Sequence, residues 1–453
     1  MQSSKDMTEG SIVKKVILFA IPVFLGNLFQ QLYNMADSLI VGNFLGSDAL
    51  AAVSSTGSLT FLLVGFFNGT ALGAGVVIAQ YYGAKDYNSV RRAIHTDIAF
   101  GLLCGVLMTA LGVVFTPQIL RWMGTPAEVL RDAIWYTRVY FLGSMAIVMY
   151  NVCMGILQAV GDSKHPLYYL IFSSVVNIVL DIVFNGILRL GVEYAALATV
   201  ISQFLSVVLC MRRLMMTRDI YQVHWNEVRF DGAILRQILQ VGLPSGLQNS
   251  IISISNVVIQ SNINFFGADA MAGCGAYSKL DGFTFLPITC FSMAMTTFIG
   301  QNIGANREER VKKGAKFGII CTLVMAEVIG VFMYIFVPNL VALFSDNQNA
   351  VQYGVMWART VAPFYFLLAF SHISAGILRG AGRSTVPMFV MLGCWCVIRI
   401  TYVTVITYLI PEIWTIFWAY PLTWSLSSII FLIYLIKVDW THGVLISKKE
   451  HYA

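Results

Sequence analysis

The chain has 453 residues, of which 57% are hydrophobic and 11% charged, and a formal net charge of +6. Soluble globular chains run at roughly 45–50% apolar and about 25% charged, so this composition excludes an ordinary soluble domain and makes lipid the main solvent. The basic residues are spread over many short segments, which excludes a nucleic-acid-binding face.

A spanning helix needs about 20 mostly apolar residues. Dividing the chain at its charges gives runs near 16–45, 53–81, 93–115, 134–157, 166–188, 194–211, 237–265, 271–300, 317–337, 356–378, 386–410 and 413–436. The expected fold class is therefore an all-α membrane protein with twelve transmembrane helices. The first run holds Pro22, Asn27, Gln30, Gln31, Asn34 and Asp37 with no small-residue cleavage site before it, and reads as a retained helix rather than a secretory signal. With the N-terminus cytoplasmic, the inner segments carry Lys5, Lys14, Lys15, Lys85, Arg91, Arg92, Lys164, the 212–236 cluster, Arg307 to Lys316, Arg379, Arg383, Lys437, Lys448 and Lys449. The outer segments carry Arg121, Arg131, Arg138 and Arg189. That asymmetry predicts a multi-pass protein of the cell (inner) membrane with both termini cytoplasmic. All eight cysteines fall in apolar runs without ligand spacing and read as small buried hydrophobes.

An internal repeat organises the chain. The segment Pro22 to Asn27 recurs as Pro244 to Asn249, Leu45 to Ala51 as Phe266 to Ala272, Gln80 to Lys85 as Gln301 to Asn306, and Gly155 to Gly161 as Gly376 to Gly382. Pro166 and Pro387 follow in register. Six spans separate equivalent positions, so both copies enter the membrane from one side and the repeats are parallel. The expected division is an N-terminal lobe 1–211, a cytoplasmic linker 212–236 and a C-terminal lobe 237–453. Gly65, Gly69 and Gly73 at four-residue spacing predict close helix packing. Pro22 and Pro244 each interrupt a helix within the bilayer, and Pro22 reads as a hinge because Asp37 shares its helix, with an ordinary kink as the alternative.

Ionisable residues inside spans cost roughly 2.5 kcal/mol or more and point to function. At about 1.5 Å per residue, Asp37 and Asp181 reach similar depths from the outer end of their helices, as does Thr199. Asn34 lies three residues before Asp37 and Asn177 four before Asp181, so each pair shares a helix face. These five residues form the candidate cation-coupling site. Asp37, Asn177, Asp181 and Thr199 offer oxygens that suit Na+ or H+ equally. In the second half, Lys279, Asp281, Glu327 and Arg399 balance in charge and read as a structural polar network. No phosphate-cradling glycine loop is present, so an ion gradient rather than nucleotide hydrolysis is the expected energy source, and no cofactor is expected.

Leu32 to Gly42 around Asp37, Gln80 to Ala84, Gly155 to Asp162 with Pro166, Asn177 to Asp181 and the second-half counterparts together resemble the multidrug and toxic compound extrusion (MATE) family, and its MepA-like branch most nearly. The resemblance runs from about Gly10 to about Lys437. It implies two lobes around a central V-shaped cavity, export of lipophilic, often cationic compounds in exchange for Na+ or H+, and the coupling acids at Asp37 and Asp181 with Asn177 and Thr199 beside them. The span-seven Glu and span-ten Asp of another branch have no counterpart here, which counts against a second-lobe cation site of that type. Expected partners are small lipophilic or cationic molecules and membrane lipids, with a monomer as the assembly. A flippase for a lipid-linked sugar is the alternative within the superfamily, disfavoured because an anionic cargo wants cavity bases. An intramembrane enzyme is disfavoured because His165 and His372 lack ligand partners at helical spacing.

Overall fold

Glycines and prolines set the joints of this all-helical chain. The computed structural model describes residues 6–344, 347–442 and 445, without the side chains at 47, 48, 50, 51, 54, 55, 57–64 and 68. Lys5, Lys448 and Lys449 therefore lie outside the described residues, as do the side chains of Ser47, Asp48, Leu50 and Ala51 in the repeated 45–51 motif.

The first half runs α1 (Ile12–Leu45), α2 (Ser47–Gly83), α3 (Tyr87–Trp122), α4 (Ala127–Leu142), α5 (Ser144–Ala159), α6 (Lys164–Asp181), a π-helical stretch (Ile182–Ile187) and α7 (Glu193–Met216). The second runs α8 (Gly232–Asn264), α9 (Ala268–Gly304), α10 (Glu308–Ala342), α11 (Gln348–Val361), α12 (Tyr365–Gly380), α13 (Thr385–Met391), a π-helical stretch (Leu392–Ile398), α14 (Arg399–Leu409), α15 (Ile413–Phe417) and α16 (Ala419–Lys437). Each of the twelve expected runs coincides with one helix or one interrupted helix. Among the described residues nine helices are long and apolar enough to cross a membrane, or ten when the α4–α5 pair, bent by 45°, is taken as one span. That bend falls at Gly143, where a Cβ would sit 2.1 Å from Val200 Cγ2. Only a glycine admits α7 so close.

The repeat is written into the backbone. Gly46 and Gly267 stand at φ 93° and 96°, Gly161 and Gly382 at 85° and 79°, and Lys85 and Asn306 at 56° and 53°. The turn hydrogen bonds match as well: Lys85 N donates to Tyr82 O and Asp86 N to Tyr81 O, while Asn306 N donates to Ile303 O and Arg307 N to Asn302 O. Positive φ is costly for any residue with a Cβ, so Gly46 and Gly267 are the places where the long first helix of each repeat can stop.

By contacts the chain divides into Met1–Asp6 with Ile21–Gly246, and Met7–Ala20 with Leu247–Ala453. The expected boundaries at 211 and 237 differ from these. The division falls inside α1, one residue before Pro22, and inside α8, two residues after Pro244. In the first unit the linker folds back on α3: Asp231 N donates to Thr96 Oγ1 at 3.2 Å, His224 N to His95 Nε2 at 3.0 Å, and Arg91 pairs with Glu227. The glycine ladder of α2 is packing, as its spacing implies. A Cβ on Gly69 would lie 2.4 Å from Gly246 N and one on Gly73 2.3 Å from Gly242 N.

Candidate functional site

In the first unit α6 and α7 pack along their length, and α1 crosses α6 at Gly26, where a Cβ would meet Leu170 Cδ2 at 3.6 Å. Alignment of these three helices brings Asp37 (α1), Asn177 and Asp181 (α6) and Thr199 (α7) together. Asp181 is fully buried, Asn177 is 1% exposed and Asp37 is 9% exposed. The carboxyl groups of Asp37 and Asp181 lie close enough to act on one another electrostatically. Asn177 Nδ2 donates to Thr199 Oγ1 at 3.4 Å, and Thr199 Oγ1 donates to Ala195 O at 3.3 Å. Four of the five expected site residues are thus joined. Asn34 is not: it is exposed, and its recorded contact is a backbone one, its carbonyl oxygen accepting from Ser38 Oγ at 3.0 Å.

The distribution of donors decides what this cluster can do. Buried oxygens without a hydrogen-bond partner among the described residues include Asp37 Oδ1, Asn177 Oδ1 and both carboxylate oxygens of Asp181. The Asn177 amide Nδ2 donates to Thr199 instead of to either acid. Among the described residues no Lys, Arg or His forms an ion pair with either acid. Two carboxylates so close cannot both stay charged away from water unless a proton or a cation lies between them. Acceptors in excess of donors, shut off from bases, are what a proton or a hard cation with oxygen ligands requires.

Asn185 belongs beside this group and the sequence reading passed over it. It is fully buried, and neither its amide oxygen nor its amide nitrogen has a partner among the described residues. The signal was available, because Asn177, Asp181 and Asn185 recur every four residues. The π-helical stretch at Ile182–Ile187 starts directly after Asp181, and such stretches recur at functional positions because they re-aim side chains. Pro22 lies inside an unbroken α1. Beside it Gly26, Asn27 and Gln30 of α1, with Tyr150, Asn151, Pro166 and Leu170 among others, line a cavity of about 30 Å³. That is room for about one water.

The four charged residues of the second half are not one network, which corrects the sequence expectation. Lys279 is exposed, its ammonium 5.9 Å from the Phe344 ring centroid. Glu327 is exposed. Arg399 is buried, donates to Thr423 Oγ1 from Nε at 3.1 Å and from Nη2 at 2.8 Å, and lies over the Trp395 and Tyr420 rings at 5.2 and 4.6 Å. Asp281 accepts from Tyr365, Tyr277 and Thr284 hydroxyls. Among the described residues no ion pair joins any two of the four. Spacing explains the failure: residues two apart on a helix point about 200° from one another, so Lys279 could not turn to Asp281.

The repeat that carries this site is also what decides the family. The MatE family model matches residues 22–183 and again 244–405. The chain belongs to the MATE family. Among its relatives, the probable multidrug resistance protein YoeA of Bacillus subtilis is 29% identical, covering 94% of each chain. YpnP of the same organism, also a probable multidrug resistance protein, is 30% identical over 87% of this chain and 88% of its own. Multidrug export proteins named MepA stand further off, that of Staphylococcus saprophyticus at 25% identity. In fold the chain is similar to an outward-facing multidrug resistance MATE family transporter, with a TM-score of 0.90 over 96% of this chain and 98% of that one at 24% identity. This MATE chain is accordingly a membrane transporter and not an enzyme, and both halves of the model match fall on the two repeats.

Proposed function

We propose that this protein is a secondary active exporter of lipophilic, often cationic compounds, and that Na+ or H+ entering at the Asp37–Asp181 site drives it. The observation that carries the ion coupling is the proximity of two buried carboxyl groups, rich in acceptors and, among the described residues, without a basic partner. The names of the MATE relatives, multidrug resistance and export proteins, support the substrate class. The Lys/Arg asymmetry supports a cell-membrane protein with both termini cytoplasmic, and a monomer suffices for the site because all its residues come from one unit.

The chemistry runs on charge. While Asp37 and Asp181 carry net negative charge they attract a cationic guest; a proton or Na+ arriving from outside satisfies the same oxygens and removes that attraction. Loss of the repulsion between the two acids lets α1 move toward α6, and Pro22, which lacks the amide hydrogen that would lock that turn, is where the helix gives most readily. Thr199 and Asn177 complete the oxygen set on the far side.

The test is efflux of a fluorescent lipophilic cation from inverted vesicles, with Na+ and proton gradients collapsed separately. Asp37→Asn keeps the shape but removes the charge, and we expect it to abolish export while membrane abundance persists; Asp181→Asn acts in the same direction. Normal export by Asp37→Asn would refute the coupling assignment.

A further inference from the structure

The second unit holds an acid that the coupling site does not use. Asp281 sits in mid-α9, and every hydroxyl near it converges on one of its two oxygens. Tyr365 Oη lies 3.0 Å, Tyr277 Oη 3.1 Å and Thr284 Oγ1 3.3 Å from Oδ1. The two phenols are 2.8 Å apart, so Tyr277 can donate to Tyr365 and Tyr365 to the carboxylate, a relay that uses one proton per contact. Nothing donates to Oδ2 among the described residues, and it is not among the buried unpartnered atoms, so it reaches the accessible surface of a half-buried residue. An acid within a span faces a bundle interior or a wet cavity rather than lipid.

Among the described residues of its own unit no base pairs with this carboxylate. Lys279 points to Phe344, and Arg399 is taken up by Thr423, Trp395 and Tyr420. The Tyr277 ring that serves the carboxylate belongs to an aromatic cluster. Trp357 is 5.0 Å from Tyr277 and 5.6 Å from Tyr420, and stacks on Phe417 at 5.3 Å. A metal ion wants several oxygen ligands, whereas the hydroxyls here are directed at a single carboxylate oxygen. A carboxylate fixed by phenol hydroxyls at the edge of an aromatic cluster suits an organic ammonium or amidinium group.

We propose that Asp281, oriented by Tyr365 and Tyr277, is a second cation-recognition site, in the second repeat, that binds the organic cation of the exported compound and not the coupling ion. This rests on the exporter reading above, but binding can be measured without transport. The experiment titrates the purified full chain in detergent with a fluorescent lipophilic cation, and with a neutral lipophilic dye of similar size. Asp281→Asn keeps an oxygen for the hydroxyl donors and presents an amide in place of the outward oxygen. We expect it to weaken cation binding by about tenfold or more and to leave the neutral dye and the melting temperature as in the parent. Tyr365→Phe should weaken cation binding less, by about two- to threefold, because Tyr277 can then donate directly. Unchanged cation affinity in Asp281→Asn, equal losses for cation and neutral dye, or Na+ competing for the cation through this residue would each overturn the assignment. Efflux lost in Asp37→Asn, with the Asp281-dependent part of cation binding kept, would leave both assignments standing, whereas efflux retained there would remove only the coupling site.

Discussion

Gly273 is the most demanding packing position in the second unit, and replacing it with alanine tests the close approach of α9 and α11. A Cβ built there lies 1.9 Å from the Ala350 carbonyl oxygen, 2.8 Å from its carbon and 3.1 Å from Gly354 N. The approach is reciprocal, since a Cβ on Gly354 would lie 2.7 Å from Gly273 O. Carbon and oxygen in contact need about 3.3 Å, so the helices would have to part by more than about 1 Å, and the atoms in the way are backbone that no rotamer change can clear. Overpacking costs about 1–3 kcal/mol, and a backbone obstacle puts Gly273→Ala at the upper end. For a unit of this size that is a fall in melting temperature of roughly 6–12 °C. Thermal unfolding in detergent, followed by tryptophan fluorescence, reads it. Gly275→Ala on the same helix meets nothing within 4 Å and should be neutral or gain roughly 0.5–1 kcal/mol in helix propensity. Equal melting of the parent and Gly273→Ala would refute the packing argument.

Arg399→Ala should cost roughly 2–4 kcal/mol, because it empties the space between Trp395, Tyr420 and Thr423; abundance and melting temperature together check it. Neither Lys279→Gln nor Glu327→Gln should lower abundance or melting temperature, since both side chains are exposed and unpaired with one another and removing a charge inside a span relieves its cost; a large loss of abundance in either would restore the network idea. The linker should loosen in acid: the hydrogen bond from Arg91 holds Glu227 below its ordinary carboxylate value. Its contribution is then present above that ordinary value and lost as pH falls through the lowered one. Hydrogen exchange at 224–228 should be steady from neutral pH down to about 5 and accelerate below about 4, after correction for intrinsic rates, and Arg91→Gln should remove that step.

How much could be read from the sequence follows from what each signal measures. Proline, glycine and charge positions report backbone breaks and span ends, and these are local; hence twelve runs and four repeated motifs carry over to helices and to paired φ angles. Depth was legible for the same reason, as rise per residue is fixed, and Asp37 and Asp181 do meet. Azimuth is a different matter. Asn34, three residues from Asp37, is rotated enough to face outward, and Lys279 and Asp281 diverge on one helix, because facing depends on which neighbour the helix turns toward. Asp97 shows the reverse error. It lies near one end of its span and drew no notice, yet it is 1% exposed with neither carboxylate oxygen partnered among the described residues. Only the packing of neighbouring helices over that end reveals its burial.

The two repeats keep one backbone while their polar chemistry has parted. Equivalent turns stand 221 residues apart, and at that spacing Tyr402 takes the place of Asp181 and Ile398 that of Asn177, while Asp281 corresponds to Thr60. Backbone turns and glycine contacts are set by sterics, which tolerate no local variation without moving a whole helix. Side chains that line a site can change one at a time, each at the cost of its own desolvation or pairing. In the proposed site Asp181 works with Asp37, Asn177 and Thr199, however, because one buried acid alone offers a hard cation too few oxygens. An acid placed at Tyr402 alone would therefore not recreate the first repeat's ion site in the second: the whole oxygen set has to be present on three helices. The second repeat instead pairs its acid with hydroxyls and rings, and a carboxylate so held answers to an organic cation. The repeated backbone thus leaves room for each half to carry its own recognition chemistry.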